Sequence, residues 1–382
     1  LGELNLSPAR TPNIDRIARE GAAFTNAFVI HSLCSPSRAT ILTGLRSTVH
    51  GVMNNRTPLP RSQPTVATAL QAAGYRTGFV GKWHMATQGE RQPGFDAWVS
   101  FEGQGTYMNP TLVVGEERVS VEGHISDILV DRAIGFLEEN ADRPFFLVLS
   151  HKAVHYPFEP QPDLLGLFAD VPITPPLSFG EDIDAAGKPS FMKERPLLAD
   201  TVGLRTLSHA YYETLYGVDR SLGRFFDQLR ALGLDDNTAL IVTSDNGHFF
   251  GEHNKFDKRL AYEESIRIPL VVRYPDWFEP GVQFDPLTLN LDFATTMLDM
   301  ANVAPTWRID GISLRDLASD PSARTSFVYE YFNDPDIPQI PRILAIRTRS
   351  EKLITYPDSP FPSEFYDLDT DPHELVNLLA AP

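Results

Sequence analysis

The densest chemical signal in the chain is Cys34-Ser35-Pro36-Ser37-Arg38, followed at once by Ala39-Thr40-Ile41-Leu42-Thr43-Gly44. This run holds the sole cysteine of 382 residues. Ser35 is a good helix N-cap, Pro36 suits the first helical position and Gly44 suits a left-handed stop, so the spacing predicts a short helix with Cys34 at its mouth. A side chain there looks along unpaired backbone N–H groups and the positive end of the helix dipole, where anions bind. The plainer reading, a buried free thiol ahead of a surface helix, accounts for the cysteine but not for the whole string.

Three further groupings offer chemistry. Gly81-Lys82-Trp83-His84 sets a cation and an imidazole two apart on an extended segment, so both can face one side. Alone, such a pair is as readily a solvated surface. Ser150-His151-Lys152-Ala153-Val154-His155-Tyr156-Pro157-Phe158 holds two histidines with no carboxylate or thiol beside them for a metal. Proton transfer or oxyanion binding suits His155, and His151 reads as a structural neighbour. In Thr243-Ser244-Asp245-Asn246-Gly247, Asp245 and Asn246 offer adjacent oxygen ligands of the hard type that calcium and magnesium prefer. By itself an Asp-Asn-Gly string is most often a turn. The segment runs on through Gly251-Glu252-His253 to Lys258, with His253 a candidate substrate contact, although loop histidines are ordinarily solvated.

Each grouping follows an element able to position it. Thr11-Pro12 opens a helix through Ile14, Ile17 and Ala18 that Gly21 ends, and Phe24, Phe28 and Ile30 read as strand leading into Cys34. A helix over 64–74 and a strand over 75–80 deliver Lys82 and His84. Ser126 caps a helix through Leu137, and the apolar strand 145–149 delivers the two histidines. Leu207, Tyr211, Leu215, Val218, Leu222, Phe225 and Leu229 mark the clearest helix, which Gly233 terminates. The strand 239–243 then runs into Asp245, and another covers 268–272. Alternating strands and helices with polar residues at strand C-termini predict an α/β fold, a mainly parallel sheet with helices on both faces. Residues 157–198, rich in Pro, Gly and Asp, read as a long excursion of the functional or mobile kind. Beyond about Thr306, four short strand candidates predict a small antiparallel α+β subdomain, which divides the chain into 1–310 and 311–382.

Composition narrows the function. A net charge of −17 argues against nucleic acid as a partner, since phosphate binding needs clustered positive charge. No apolar run approaches bilayer-spanning length, so no membrane span is expected. A single cysteine excludes an intramolecular disulfide framework.

The Cys34–Gly44 run resembles the signature of type I sulfatases, C-x-P-S-R-x-x-x-L-T-G, and matches it at every fixed position. The other groupings follow in that family's order from Thr11 to about Pro275. The resemblance implies membership of the alkaline phosphatase superfamily, with a large α/β domain and a small C-terminal one. It implies that Cys34 is oxidised to formylglycine (3-oxoalanine) by a formylglycine-generating enzyme that reads C-x-P-x-R. Carried over residue by residue, the Cys34 hydrate would attack sulfur while Arg38 holds it. Lys82 and Lys258 would bind the sulfate oxygens. His84 would help expel sulfate, and His155 would protonate or stabilise the leaving alcohol. Asp245, Asn246 and the modified Cys34 would hold one divalent metal, usually calcium. The implied reaction is hydrolysis of a sulfate monoester. The strings at 151–158 and 251–265 look like those of carbohydrate sulfatases, including glucosamine-6-sulfatase and iduronate-2-sulfatase relatives, though aryl and choline sulfatases share much of them. A periplasmic or secreted enzyme is implied as well. Elementary chemistry agrees with these roles: a sulfate monoester's negative oxygens repel nucleophiles, and each preorganised donor is worth about 3–4 kcal/mol in such transition states.

One family element has no counterpart in the sequence. In type I sulfatases a first core strand ends in two consecutive aspartates that ligand the same metal, upstream of the segment resembling Thr11–Asp15. Only ten residues precede Thr11, without an Asp or a strand-like run, and Leu1 stands in place of an initiator methionine. The expectation is an N-terminally truncated sulfatase whose metal shell falls short of six to eight oxygens. Two other readings stay open: a phosphate or phosphonate monoester hydrolase using the same formylglycine, and an inactive relic that binds anionic glycans.

Overall fold

The computed structural model describes residues 10–194 and 200–380. The expectation for the segment ahead of Thr11 and the end of the 157–198 excursion therefore fall largely outside the described residues.

Pro12 opens α1 (Pro12–Glu20), and the free amides of its first turn are taken by Asp219, which accepts from Asn13 N at 3.1 Å and Ile14 N at 2.8 Å. After β1 (Ala22–Phe24) comes α2 (Cys34–Thr43), which stops at Gly44, φ 66°, with its N–H on the Thr40 carbonyl at 2.8 Å. The helix begins earlier than the capping signal predicts. Leu33 is the N-cap and Ser35 sits inside, because its amide goes to Asn55 Oδ1 at 3.1 Å and its hydroxyl to the His84 carbonyl. A Thr65–Thr68 capping box starts α3 (Val66–Ala72). Next come β2 (Arg76–Gly81), β3 (Ala97–Ser100), β4 (Thr111–Val114) and β5 (Glu117–Ser120). In α4 (Ile125–Asn140) the cap is His124, whose Nδ1 accepts from Ser126 N at 3.3 Å, so Ser126 is again one step inside. Then follow β6 (Phe145–Ser150), α5 (Thr201–Ala231) capped by Asp200, β7 (Leu240–Thr243), β8 (Leu270–Arg273), β9 (Val282–Phe284) and α6 (Asp292–Met300). The chain closes with β10 (Ser326–Tyr331), β11 (Ile343–Thr348), β12 (Glu351–Thr355) and β13 (Glu364–Asp367).

In the sheet ordered β5-β4-β3-β2-β6, β2 is parallel to both neighbours and the β3-β4-β5 edge is antiparallel. In β9-β1-β8-β7, β1 is parallel to β9, and β8 runs antiparallel to both β1 and β7. Helices cover both faces. Phe145, Leu147 and Leu149 pack towards α1, α4 and α5, whereas Phe146 and Val148 pack towards α3 and α6. That two-sided burial is why β6 reads as an unbroken apolar run rather than an alternating one. The C-terminal sheet β10-β11-β12-β13 is wholly antiparallel and shares a core with Phe28, Leu289 and Phe293. Behind it, Lys352 Nζ lies 2.9 Å from Glu263 and 2.7 Å from Glu374, and Arg347 adds a 3.2 Å contact to Glu263, all buried or nearly so.

Among the described residues β6 pairs only with β2, and β7 only with β8, so each keeps one open edge. Every residue of both strands is half-buried. A cavity of about 1810 Å³ runs along both, floored by α5 residues such as Val218 and Leu222, and reaches Cys34, Lys82 and Asp245.

Candidate active site

The site stands where β2, β6 and β7 end. Gly81 closes β2 against β6 so tightly that a Cβ would lie 1.8 Å from the Ser150 carbonyl, and its φ of 125° also calls for glycine. The next residue, Lys82, donates its amide to that carbonyl at 2.7 Å and turns its buried ammonium towards α2. Cys34 is the first residue of α2 and is almost fully buried. Its Sγ is 3.3 Å from Lys258 Nζ and 3.9 Å from Lys82 Nζ, and His155 and His84 stand close enough to influence its charge. Burial pushes the Cys34 thiol up, but Lys258, Lys82 and the two histidines outweigh it and hold it well below the ordinary thiol value. The mouth of α2 therefore favours an anion beside the two lysines.

Arg38 joins the pieces. Its Nε donates to Asp245 Oδ2 at 2.8 Å, and its Nη1 donates to Ser150 Oγ at 2.7 Å and to the Lys82 carbonyl. Burial pulls Lys82 down to about 8, whereas Lys258 is raised because Cys34, Asp257 and Asp245 outweigh its burial. Both imidazoles are lowered chiefly by burial. The Nδ1–H of His155 donates to the Tyr156 carbonyl at 2.6 Å, which leaves Nε2 as the ring nitrogen free to exchange a proton in the cavity. His84 touches the Gln104 amide at 2.9 Å.

Asp245 and Asn246 follow β7 after Ser244. Asn246 Nδ2 donates to the Gly247 carbonyl at 2.8 Å, and its Oδ1 is buried without a partner. An orphaned carbonyl oxygen next to a carboxylate is the donor chemistry of a hard divalent cation. Among the described residues no group of three or more His, Cys, Asp or Glu could hold a metal ion, so these two oxygens form only part of a shell.

Cys34, Arg38, Lys82, His84, His155, Asp245, Asn246 and Lys258 all line one cavity, or in the case of His84 border Cys34 across it. His253 does not join them. Its ring is fully buried, with Nδ1 2.8 Å from Lys188 Nζ and 3.1 Å from Glu181, Nε2 3.6 Å from Glu264, and its face stacked on Tyr262 at 4.3 Å. The expected substrate contact is instead a buried tie between residues 178–188 and the loop carrying Lys258. His151 is likewise buried and is pushed down to about 4. Sequence reasoning missed Ser150, Gln104, Asn55 and Asp257. Ser150 opens a string already marked and Asp257 adjoins the marked Lys258, which was the available signal, while Gln104 and Asn55 carry none.

A buried nucleophile position flanked by cations, with oxygen donors at the strand ends of an α/β sheet, defines a hydrolase of anionic esters. Residues 1–303 match the family described as Sulfatase, and residues 251–382 match N-sulphoglucosamine sulphohydrolase, C-terminal. The chain belongs to the sulfatase family and is an enzyme of the sulfuric ester hydrolase class. It is 31% identical to N-acetylglucosamine-6-O-sulfatase of Bacteroides thetaiotaomicron, covering 97% of this chain and 78% of that protein. It is 29% identical to an ulvan-active sulfatase of Formosa agariphila, covering 98% and 73%. A solved structure in complex with its substrate D-glucosamine-2-N,6-O-disulfate superposes with a TM-score of 0.89 at 31% identity, over 96% of this chain and 88% of that one. A phosphonate monoester hydrolase of Agrobacterium radiobacter shares the fold, with a TM-score of 0.82 at 23% identity over 100% and 88%. Among the described residues no helix is long and apolar enough to cross a membrane.

Proposed function

We propose that this chain removes sulfate from a sulfated carbohydrate of the glucosamine-6-sulfate kind, with Cys34 matured to formylglycine. One observation carries the reading: Cys34 lies 3.3 Å from Lys258 and 3.9 Å from Lys82, with His84 and His155 nearby, inside an intact C-x-P-S-R string. The named activities of the relatives above support the sugar. Formylglycine supplies a hydrated aldehyde, one hydroxyl of which can take the sulfuryl group while the other later expels sulfate. Lys82 and Lys258 bind the sulfate oxygens and neutralise charge that grows in the transition state. Arg38 fixes the nucleophile by tying α2 to Ser150 and Asp245. His155 gives a proton to the departing alcohol from Nε2, and His84 serves the nucleophile side. Asp245, Asn246 and the oxygen of converted Cys34 would hold one calcium ion, which would supply Lewis-acid polarisation.

The rest of the reading follows from family likeness. A formylglycine-generating enzyme is the maturation partner, and export to the periplasm or medium is the expected fate. Residues 1–310 form the catalytic unit and 311–382 the small C-terminal one. The test is co-expression with a formylglycine-generating enzyme, mass spectrometry of the Cys34 peptide, and turnover of glucosamine 6-sulfate. Conversion with turnover that Cys34→Ala abolishes supports the mechanism. Full activity in Cys34→Ala sinks it.

A further inference from the structure

The imidazole that serves the departing alcohol stands on a segment with little backbone support. Among the described residues, no main-chain group of residues 152–158 bonds to another main-chain group. One side chain supplies what the backbone lacks. Tyr107 Oη donates to the His155 carbonyl at 2.7 Å and accepts from the His155 amide at 3.1 Å, so a single oxygen takes both main-chain groups of that residue. The ring is then turned by the bond from His155 Nδ1 to the Tyr156 carbonyl, at 2.6 Å.

Tyr107 is itself fixed. Only 1% of it is exposed, its carbonyl accepts from Ile125 N at 2.8 Å where α4 begins, and it shares a core with Val80, Phe101 and Leu129. His124 stacks on its ring at 5.6 Å, and Lys152 Nζ lies 4.5 Å from the ring centre. Burial holds its phenol above the ordinary value, so the hydroxyl keeps the proton it donates. Tyr107 is not part of the wall of the cavity that reaches Cys34, so it acts on the reaction only through His155.

A proton donor depends on its aim. As the S–O bond breaks, its electron pair goes to the alcohol oxygen, which takes the Nε2 proton of a His155 imidazolium. The neutral imidazole left behind keeps its Nδ1–H on the Tyr156 carbonyl. The need for that proton grows with the basicity of the departing oxygen: a nitrophenolate leaves without it, a sugar alkoxide does not. A misplacement of about 1 Å costs on the order of 10²-fold.

We propose that Tyr107 is the positioning residue of the proton donor: its hydroxyl, bonded to both main-chain groups of His155, sets Nε2 against the departing alcohol. This rests on the sulfate-ester reading and adds the residue that aims its acid.

The test uses the matured full chain, with kcat and KM measured on 4-nitrophenyl sulfate, phenyl sulfate and glucosamine 6-sulfate, in order of rising basicity of the departing oxygen. Tyr107→Phe keeps the ring and removes the hydroxyl. It should lose no more than about threefold in kcat on the nitrophenyl ester and roughly tenfold or more on the sugar ester, with KM within about twofold throughout. His155→Ala should show the same order, and adding Tyr107→Phe to it should cost less than about twofold more. Leu129→Ala, which trims the same core but keeps the hydroxyl, should lower Tm and leave the ratio between the esters unchanged. Equal losses on all three esters, losses that multiply in the double variant, or the same shift in Leu129→Ala overturn the positioning role. So does failure of Tyr107→Phe to fold, which would assign the hydroxyl to the fold. If the parent turns over none of the esters, the sulfate-ester reading falls and the positioning role with it.

Discussion

The ammonium of Lys258 stands 3.3 Å from Cys34 Sγ, closer than that of Lys82 at 3.9 Å, although 224 residues separate the first pair in sequence and 48 the second. The nearer cation comes from a loop well after β7, the farther one from the residue that follows β2. Lys258→Ala should cost roughly 10²–10³ in kcat/KM of the matured enzyme, as loss of one preorganised charge partner does. In unconverted protein it should raise the Cys34 thiol, because the largest influence opposing burial is gone. Iodoacetamide labelling of Cys34, followed by mass against pH, should therefore shift to higher pH. An unmoved profile contradicts the pairing.

His253 is pushed up to about 9, because burial, which opposes it, is outweighed by Glu181 and Glu264. A group raised above its unfolded value of about 6.5 stabilises fully below that pH and loses its contribution as pH rises through about 9. His253→Gln should lower stability by on the order of 1–3 kcal/mol at pH 6, and by clearly less at pH 9.5. Glu252, raised to about 7 chiefly by burial, titrates in the same direction. Urea unfolding of both proteins at each pH isolates the histidine by difference. An equal deficit at both pH values would show that its charge is immaterial.

The orphaned Asn246 Oδ1 beside the Asp245 carboxylate makes a prediction about calcium. Calcium held in part by Asp245 and Asn246 should raise the thermal stability of the folded chain. Calcium at a hundred times its Kd stabilises by about 2.7 kcal/mol, visible as a rise in Tm. Asn246→Ala should reduce that rise. Calorimetry giving Asn246→Ala the same calcium affinity as the parent chain would refute the link.

Charge alone favours phosphate esters, which carry nearly two negative charges near neutral pH against one for a sulfate monoester. Preference for sulfate must then arise in turnover. We expect higher kcat/KM for an aryl sulfate than for the matched aryl phosphate, with inorganic phosphate a competitive inhibitor. A clear phosphate preference would move the chain to the phosphate and phosphonate ester hydrolases whose fold it shares.

What the sequence revealed was local. Phe145–Leu149 announced an apolar, buried strand, and the polar residues after it had to stand at the sheet's edge. Gly44 marked the end of α2 correctly, because a left-handed stop depends on one residue and its own turn. Ser35 misled, since whether a serine caps a helix depends on what else wants its hydroxyl, and the His84 carbonyl lies 49 residues away. His253 misled for the same reason: Lys188 and Glu181 reach it from a segment whose composition reads only as loop. The β3-β4-β5 edge went unread because four-residue strands, one of them mostly exposed, leave little periodicity to detect.

The buried charges behind the C-terminal sheet bear on how the enzyme opens. Glu263 follows Lys258 by five residues, and its carboxylate is shared by Lys352 of β12 and Arg347 of β11. Leaving such a charge unpaired costs about 3–5 kcal/mol, so the segment from Lys258 to Ile266 cannot peel away while that sheet stays folded. Functional loops are commonly the first backbone to exchange amide hydrogens. Here the loop that brings the nearer cation to the nucleophile should exchange among the slowest, releasing its protons only when the whole molecule unfolds.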